Sequence, residues 1–98
     1  MAGVPPYLKL LDQKDPQFAE QIMGVLGLVD AEGALDAKVK VLMSMLGDAI
    51  LGHPEGVAAL AARARQLGAG EQEIAETVHI AFTAGGIPAL VTALRAFK

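Results

Sequence analysis

At 98 residues the chain amounts to one domain near the small end of what builds its own core, leaving roughly a third of the unfolded-chain surface in water after folding. Its residues are 53% hydrophobic and 19% charged, against roughly 45–50% and 25% for typical soluble domains, so one thin core cannot take in all the apolar surface and a homo-oligomer is expected. The formal charge of −3, with eight Lys and Arg scattered along the chain, leaves no basic stripe for a phosphate backbone, which argues against nucleic acid as a partner; the absence of cysteine excludes disulfides, thiolate nucleophiles and Cys-type zinc sites.

The opening MAGVPPYLKLLDQKD is a Pro-containing lead-in over residues 1–14. It lacks a basic region followed by an apolar run, so no secretory signal is expected and the cytoplasm is the default location. Asp15-Pro16 reads as an N-cap and first helical residue, and Phe18, Ile22, Val25 and Leu26 follow at helical spacing, predicting a short amphipathic helix to about Leu28. A loop runs through VDAEGAL. Asp36 is the next N-cap candidate, with Val39 standing where a full capping box has Glu or Gln. From Ala37 to about Leu51 a helix carries Val39, Leu42, Met43, Leu46 and Ile50 on one apolar face and Val41 and Met45 on a second row, so it is expected to be central.

Gly52 ends that helix, and Pro54 opens another to about Leu67, with Val57, Leu60, Ala61 and Ala64 inward. Gly68 and Gly70 stop it. Glu71 to about Ala84 forms the next helix, its acidic first turn matching the helix dipole and Ile74, Ala75, Val78, Ala81 and Phe82 forming its apolar face. Gly85-Gly86 ends it and Pro88 opens a last helix, IPALVTALRAF. No stretch alternates with period two, so the fold class is all-α, in about five helices. The uncharged run from Thr77 to Leu94 just reaches membrane-spanning length. Gly85, Gly86 and Pro88 break it, so two packed helices joined by a turn are expected, with no membrane partner.

Taken together, LDAKVKVLMSMLGDAILG, a helix ending RARQLGAGEQEIAE, and AGGIPALVTALRAF resemble the carboxymuconolactone decarboxylase and alkylhydroperoxidase D-like family. Typical members carry L-D-x-K-x-x-E, a C-x-x-C-x-x-x-H stretch, an A-G-A or N-G-L turn followed by E-E-I, and a terminal G-x-P-A-x-x-x-A-L-R. The resemblance covers residues 35–97, within a single all-α domain over 1–98. It implies trimeric or hexameric assembly. It also implies that the family's glutamate falls on Val41, its first cysteine on His53, its second on Gly56 and its histidine on Leu60. None of the four can supply the family's thiol and proton chemistry, so peroxidase or disulfide reductase activity is not expected, and the decarboxylase branch, which retains the glutamate and histidine, is not matched at Val41 and Leu60 either.

His53, Asp48 and Glu55 form the remaining candidate cluster. Asp48 lies on the last turn of the central helix and His53 just past its end, so the carboxylate can orient the imidazole as a general base while Glu55 sits on the opposite rim. The competing reading is a solvated loop histidine beside two solvated acids. His79, among apolar residues on the following helix, reads either as a hydrogen-bonded core or interface histidine or as a group lining the same pocket as His53, Val41, Gly56 and Leu60. Two histidines without ligand spacing do not predict a metal, and the GAGEQE turn lacks the ending of a phosphate loop, so no cofactor is expected. Two functions stand open: a small-molecule site, for a carboxylate or lactone, with cofactor-free proton transfer at His53; or a non-catalytic assembly module with a vestigial pocket.

Overall fold

A computed structural model describes residues 6–98 of the chain. Those residues form five α-helices, α1 (Pro6–Lys14), α2 (Pro16–Asp30), α3 (Ala37–Leu51), α4 (Pro54–Gln66) and α5 (Glu71–Ala93), and a closing 3₁₀ turn, Leu94–Ala96. There is no strand among them, as the absence of period-two alternation requires. The chain divides between Ala31 and Glu32 into two compact units.

In the first unit α1 packs against α2, with Leu8 and Ala19 buried. The lead-in read as residues 1–14 therefore carries a helix from Pro6; its first five positions lie outside the described residues. Proline is tolerated at the first helical position, and Leu8 and Leu11 recur one turn apart, so Pro6 opens this helix instead of preventing it. Asp15 separates the two helices. Its side chain accepts a hydrogen bond from the Phe18 N–H at 3.2 Å, the N-cap role expected of it.

In the second unit α3 packs against both α4 and α5, and α4 packs against the 3₁₀ turn. Asp36 caps α3 by accepting from the Val39 N–H at 2.8 Å. The buried side of α3 consists of Val41, Met45 and Ala49, while Val39, Met43 and Ile50 are exposed. The expected main face is thus split: Leu42 and Leu46 pack against the core cluster, and Val39, Met43 and Ile50 stand outside. A helix apolar on most of its circumference does not choose a side by periodicity, and the side carrying Ala49 is the one that admits close neighbours. On α4 the expected Val57, Ala61 and Ala64 are buried and Leu60 packs against the same cluster.

The hydrogen-bonded span of α5 is broken at Gly86, whose φ of 77° and ψ of −164° lie in a region essentially restricted to glycine. This is the turn expected between the last two helices. Gly85 next to it has a different requirement: a Cβ there would stand 2.6 Å from the Ala89 Cβ and 3.3 Å from Ile50 Cγ1. The segment Glu71–Ala96 has the length and apolar composition of a membrane span, but it is interrupted at Gly86 and contributes Ile74, Thr77, Val78, Ala81, Ala89 and Ala93 to the buried interior. Its other large side chains, Ile80, Phe82, Ile87 and Val91, are exposed.

Two polar clamps join the elements. Glu73 accepts from the Gly70 N–H at 2.9 Å and pairs with Lys38 of α3 at 2.9 Å, fastening the start of α5 to the start of α3. Arg65 reaches both carboxylate oxygens of Glu71 at 2.8 Å and the Ala96 carbonyl at 2.8 Å, a bidentate fork that a lysine cannot reproduce. The Gly70 N–H and then Lys38 hold the Glu73 carboxyl below its ordinary value, and Glu73 raises Lys38. Arg65 likewise lowers Glu71.

Two outcomes are expected. Glu71 and Glu73 are depressed on folding, so their stabilisation is present above the ordinary value of 4.5 and is lost as pH falls through the folded values. The melting temperature should drop on that acid limb, and Glu73→Gln should lower it at neutral pH while flattening the limb. Gly85→Ala sets a methyl against the backbone-fixed Ala89 and should cost about 1–3 kcal/mol in denaturant unfolding; an unchanged midpoint would show that the approach of Gly85 to Ala89 is not tight.

Candidate functional site

The α3–α4 turn builds the site. Gly52 adopts φ 80°, and the His53 N–H donates to the Asp48 carbonyl at 2.8 Å, which closes α3 in a Schellman motif. The fold-back returns His53 alongside Asp48 on the last turn of the helix that the chain has just left. The His53 Nδ1 lies 3.2 Å from Asp48 Oδ1. Because a carboxylate only accepts, the neutral ring bonded in this way carries its proton on Nδ1 and leaves the Nε2 lone pair free. Asp48 is 28% exposed and His53 60%, so the orienting group is largely sheltered and the ring stands open to solvent.

Pro54 starts α4 directly after His53, and His53 occupies the N-cap without capping through its side chain. Gly56, one turn in, makes room for the pair. A Cβ at this position would collide with Asp48 Oδ2 and stand 2.8 Å from its Cγ. The Asp48 carboxylate is thereby seated over the first turn of α4, where the helix dipole favours negative charge.

Glu55 faces elsewhere. Its Oε1 accepts from Arg95 Nη1 at 3.1 Å, so the third member of the cluster ties α4 to the 3₁₀ turn. Val41 is buried and Leu60 half-buried in the same apolar cluster, so the positions that the family resemblance assigns to an acid and a histidine carry core side chains. His79 is exposed, beside exposed Ile80, so it lies outside the core of the single chain, at a surface position of the kind an interface histidine takes. Ile74, Thr77, Val78 and Ala81 take the inward stripe of α5, which turns positions 79 and 80 outward. Among the described residues no group of three or more His, Asp or Glu side chains is placed to hold a metal ion.

Sequence reading singled out Asp48 and His53 by proximity alone. It did not find the role of Gly56, which follows only from the folded-back turn, nor Arg95, forty residues from its partner Glu55. A helix that starts Pro-Glu-Gly, with a small residue where Ala or Glu is more favourable, was the available signal for the first.

A model of the carboxymuconolactone decarboxylase family matches residues 16–98, so the similarity begins at α2 and takes in more of the chain than the motifs over 35–97. Among solved structures, the crystal structure of the apo form of a carboxymuconolactone decarboxylase family protein from Legionella pneumophila is similar with a TM-score of 0.85 and 26% sequence identity, over 92% of this chain and 80% of that one. No curated protein matches the chain.

Gly56→Ala separates the site from the scaffold. The Asp48 carboxylate is the movable end of a partly exposed side chain, and alanine is favoured over glycine inside a helix by about 0.5–1 kcal/mol, so the two effects offset and the net change in stability should be under about 1 kcal/mol. The variant should nevertheless displace the carboxylate from His53, read as a change in the ring ¹⁵N shifts from the Nδ1–H toward the Nε2–H tautomer. Unchanged shifts would show that Gly56 does not position the pair.

Proposed function

Since the chain belongs to the carboxymuconolactone decarboxylase family and yet contains no cysteine, we propose that it catalyses a cofactor-free proton transfer on a small carboxylate or lactone, with His53 as the base and Asp48 as the group that orients it. The observation that carries this reading is the 3.2 Å contact between Nδ1 and Oδ1 held by a carboxylate seated on Gly56. Asp48 selects the tautomer with Nε2 free. Nε2 then removes a proton from carbon next to the substrate carbonyl, and the imidazolium that forms is balanced by the adjoining carboxylate. The same nitrogen returns the proton to a second position or to the same one, so no redox partner enters.

A second reading, a non-catalytic assembly module, is favoured by a different observation. Val41 and Leu60 fill the family's reacting positions with apolar bulk, and large side chains such as Met43, Ile50, Phe82 and Ile87 are exposed on α3 and α5. On this reading the chain assembles into a homo-oligomer, of the trimeric or hexameric kind that the family resemblance suggests, and the pocket beside His53 is vestigial. A cytoplasmic setting without membrane or nucleic-acid partners accompanies either reading.

The two separate in one assay. Small carboxylates and lactones are incubated with the protein in D₂O, and deuterium uptake next to the carbonyl is followed by NMR. Catalysed exchange should appear for one ligand class, fall about 10²–10⁴-fold in His53→Gln as expected for loss of a general base, and fall less in Asp48→Ala. Exchange no faster than in buffer, or equally fast in His53→Gln, overturns the catalytic reading and leaves the assembly module.

A further inference from the structure

The closing 3₁₀ turn is held from outside itself. Hydrogen bonds of 3₁₀ geometry are poorer than those of an α-helix, and the turn ends in one of them, from the Phe97 N–H to the Leu94 carbonyl at 3.1 Å. Its buried side chain is Ala96, a single methyl group, while Leu94 and Phe97 are exposed. Arg95 reaches Glu55 at 3.1 Å, but the two side chains are 50% and 85% exposed, a setting in which an ion pair holds little. What remains is Arg65. Its side chain is 16% exposed, and its Nη2 donates both to Glu71 Oε1 and to the part-buried Ala96 carbonyl. The parallel bonds to the two Glu71 oxygens fix the plane of the guanidinium, and that plane aims Nη2 at Ala96.

We infer that Leu94–Ala96 is a strap across α4, latched by Arg65 only while Glu71 is charged, and that neutralising Glu71 in acid lets the strap lift while the helices beneath it stay folded. A sheltered guanidinium that has lost its carboxylate keeps one neutral acceptor, and it regains hydration by swinging outward. The Ala96 carbonyl is then left without its donor. The charged groups facing Glu71 are Arg65 from α4 and Lys98 beyond the turn, and both favour its ionised form, so the strap is latched at neutral pH. Its neighbour Glu73 is engaged with the Gly70 N–H and Lys38 and takes no part in the latch. Lifting the turn also parts Arg95 from Glu55, so α4 loses a tie at each end and keeps α3 and α5 as neighbours. The inference is independent of the chemistry at His53.

Hydrogen exchange followed by NMR in low urea tests it, because a contact broken in the lifted form and one kept there act differently. The Phe97 N–H reports the strap, and the Met45 and Val78 N–H groups, inside α3 and α5, report the whole unit. Phe97 should exchange through an opening that urea barely changes, whereas Met45 and Val78 should exchange faster as urea rises. Glu71→Gln should speed Phe97 and Met45 alike by about tenfold, the scale of one hydrogen bond to a charged group, since the latch is absent from the lifted and the unfolded forms. Arg65→Lys, which keeps the charge without the fork, should do the same. Glu73→Gln should speed Met45 and leave Phe97 unchanged, since its clamp persists when the strap lifts. In the unmodified protein, Phe97 should approach the Glu71→Gln behaviour as Glu71 is titrated, after allowance for the intrinsic rate of exchange. A urea dependence of Phe97 equal to that of Met45, or an equal response to Glu73→Gln, overturns the strap as a separate unit. Phe97 unmoved by Glu71→Gln and Arg65→Lys overturns the latch, and exchange of Phe97 at the unprotected rate in the unmodified protein at neutral pH overturns both.

Discussion

The second unit is governed by how little side chain lies between its helices. Seven of the twelve residues in its buried cluster are alanine, and Gly85 has no room for even one methyl group more. Alanine brings helix axes close and allows dense packing, but each buries little apolar area, so the hydrophobic stabilisation of about 25 cal/mol per Å² is correspondingly limited. The larger apolar side chains stand on the outside instead. A core of this kind relies on precise helix ends and crossings, which explains why so many polar residues are spent on joining elements: Asp36 on α3, Lys38 and Glu73 between α3 and α5, and Arg65 across α4, α5 and the last turn.

Those joining residues include the motifs by which the chain resembles its family. Asp36 caps, Lys38 pairs, Glu73 closes Gly70, Gly86 breaks α5, and Ala89 sits buried under Gly85. The family motifs retained here describe a scaffold. The positions that the resemblance assigns to redox chemistry are held by Val41, His53, Gly56 and Leu60, and the first and last of these pack in the apolar interior. A fold by itself does not carry a reaction; the site does.

Element ends were the most legible part of the sequence because single residues determine them: Asp15-Pro16, Asp36, Gly52-His53-Pro54 and Gly85-Gly86 all act where their chemistry says. Facing was less legible. On α4, where apolar and polar residues separate cleanly, the inward stripe could be read directly; on α3, apolar almost all round, Val41 and Met45 exchanged roles with Met43 and Ile50. His79 lies outside the core because its neighbours in sequence, Val78 and Ile80, lie on different sides of the helix. At the candidate site the pairing of Asp48 with His53 was within reach, being local, whereas Glu55 with Arg95 is a contact that only the assembled unit creates.

That locality has a kinetic side. Asp48 and His53 are five residues apart, and the backbone bond between them is made by the same turn that ends α3. Closing so short a loop takes on the order of tens of nanoseconds, and it does not wait for α5 to dock. Asp48, His53 and Gly56 supply all the contacts of the pair, so its geometry is written into nine consecutive residues, 48–56, with no contribution from α5.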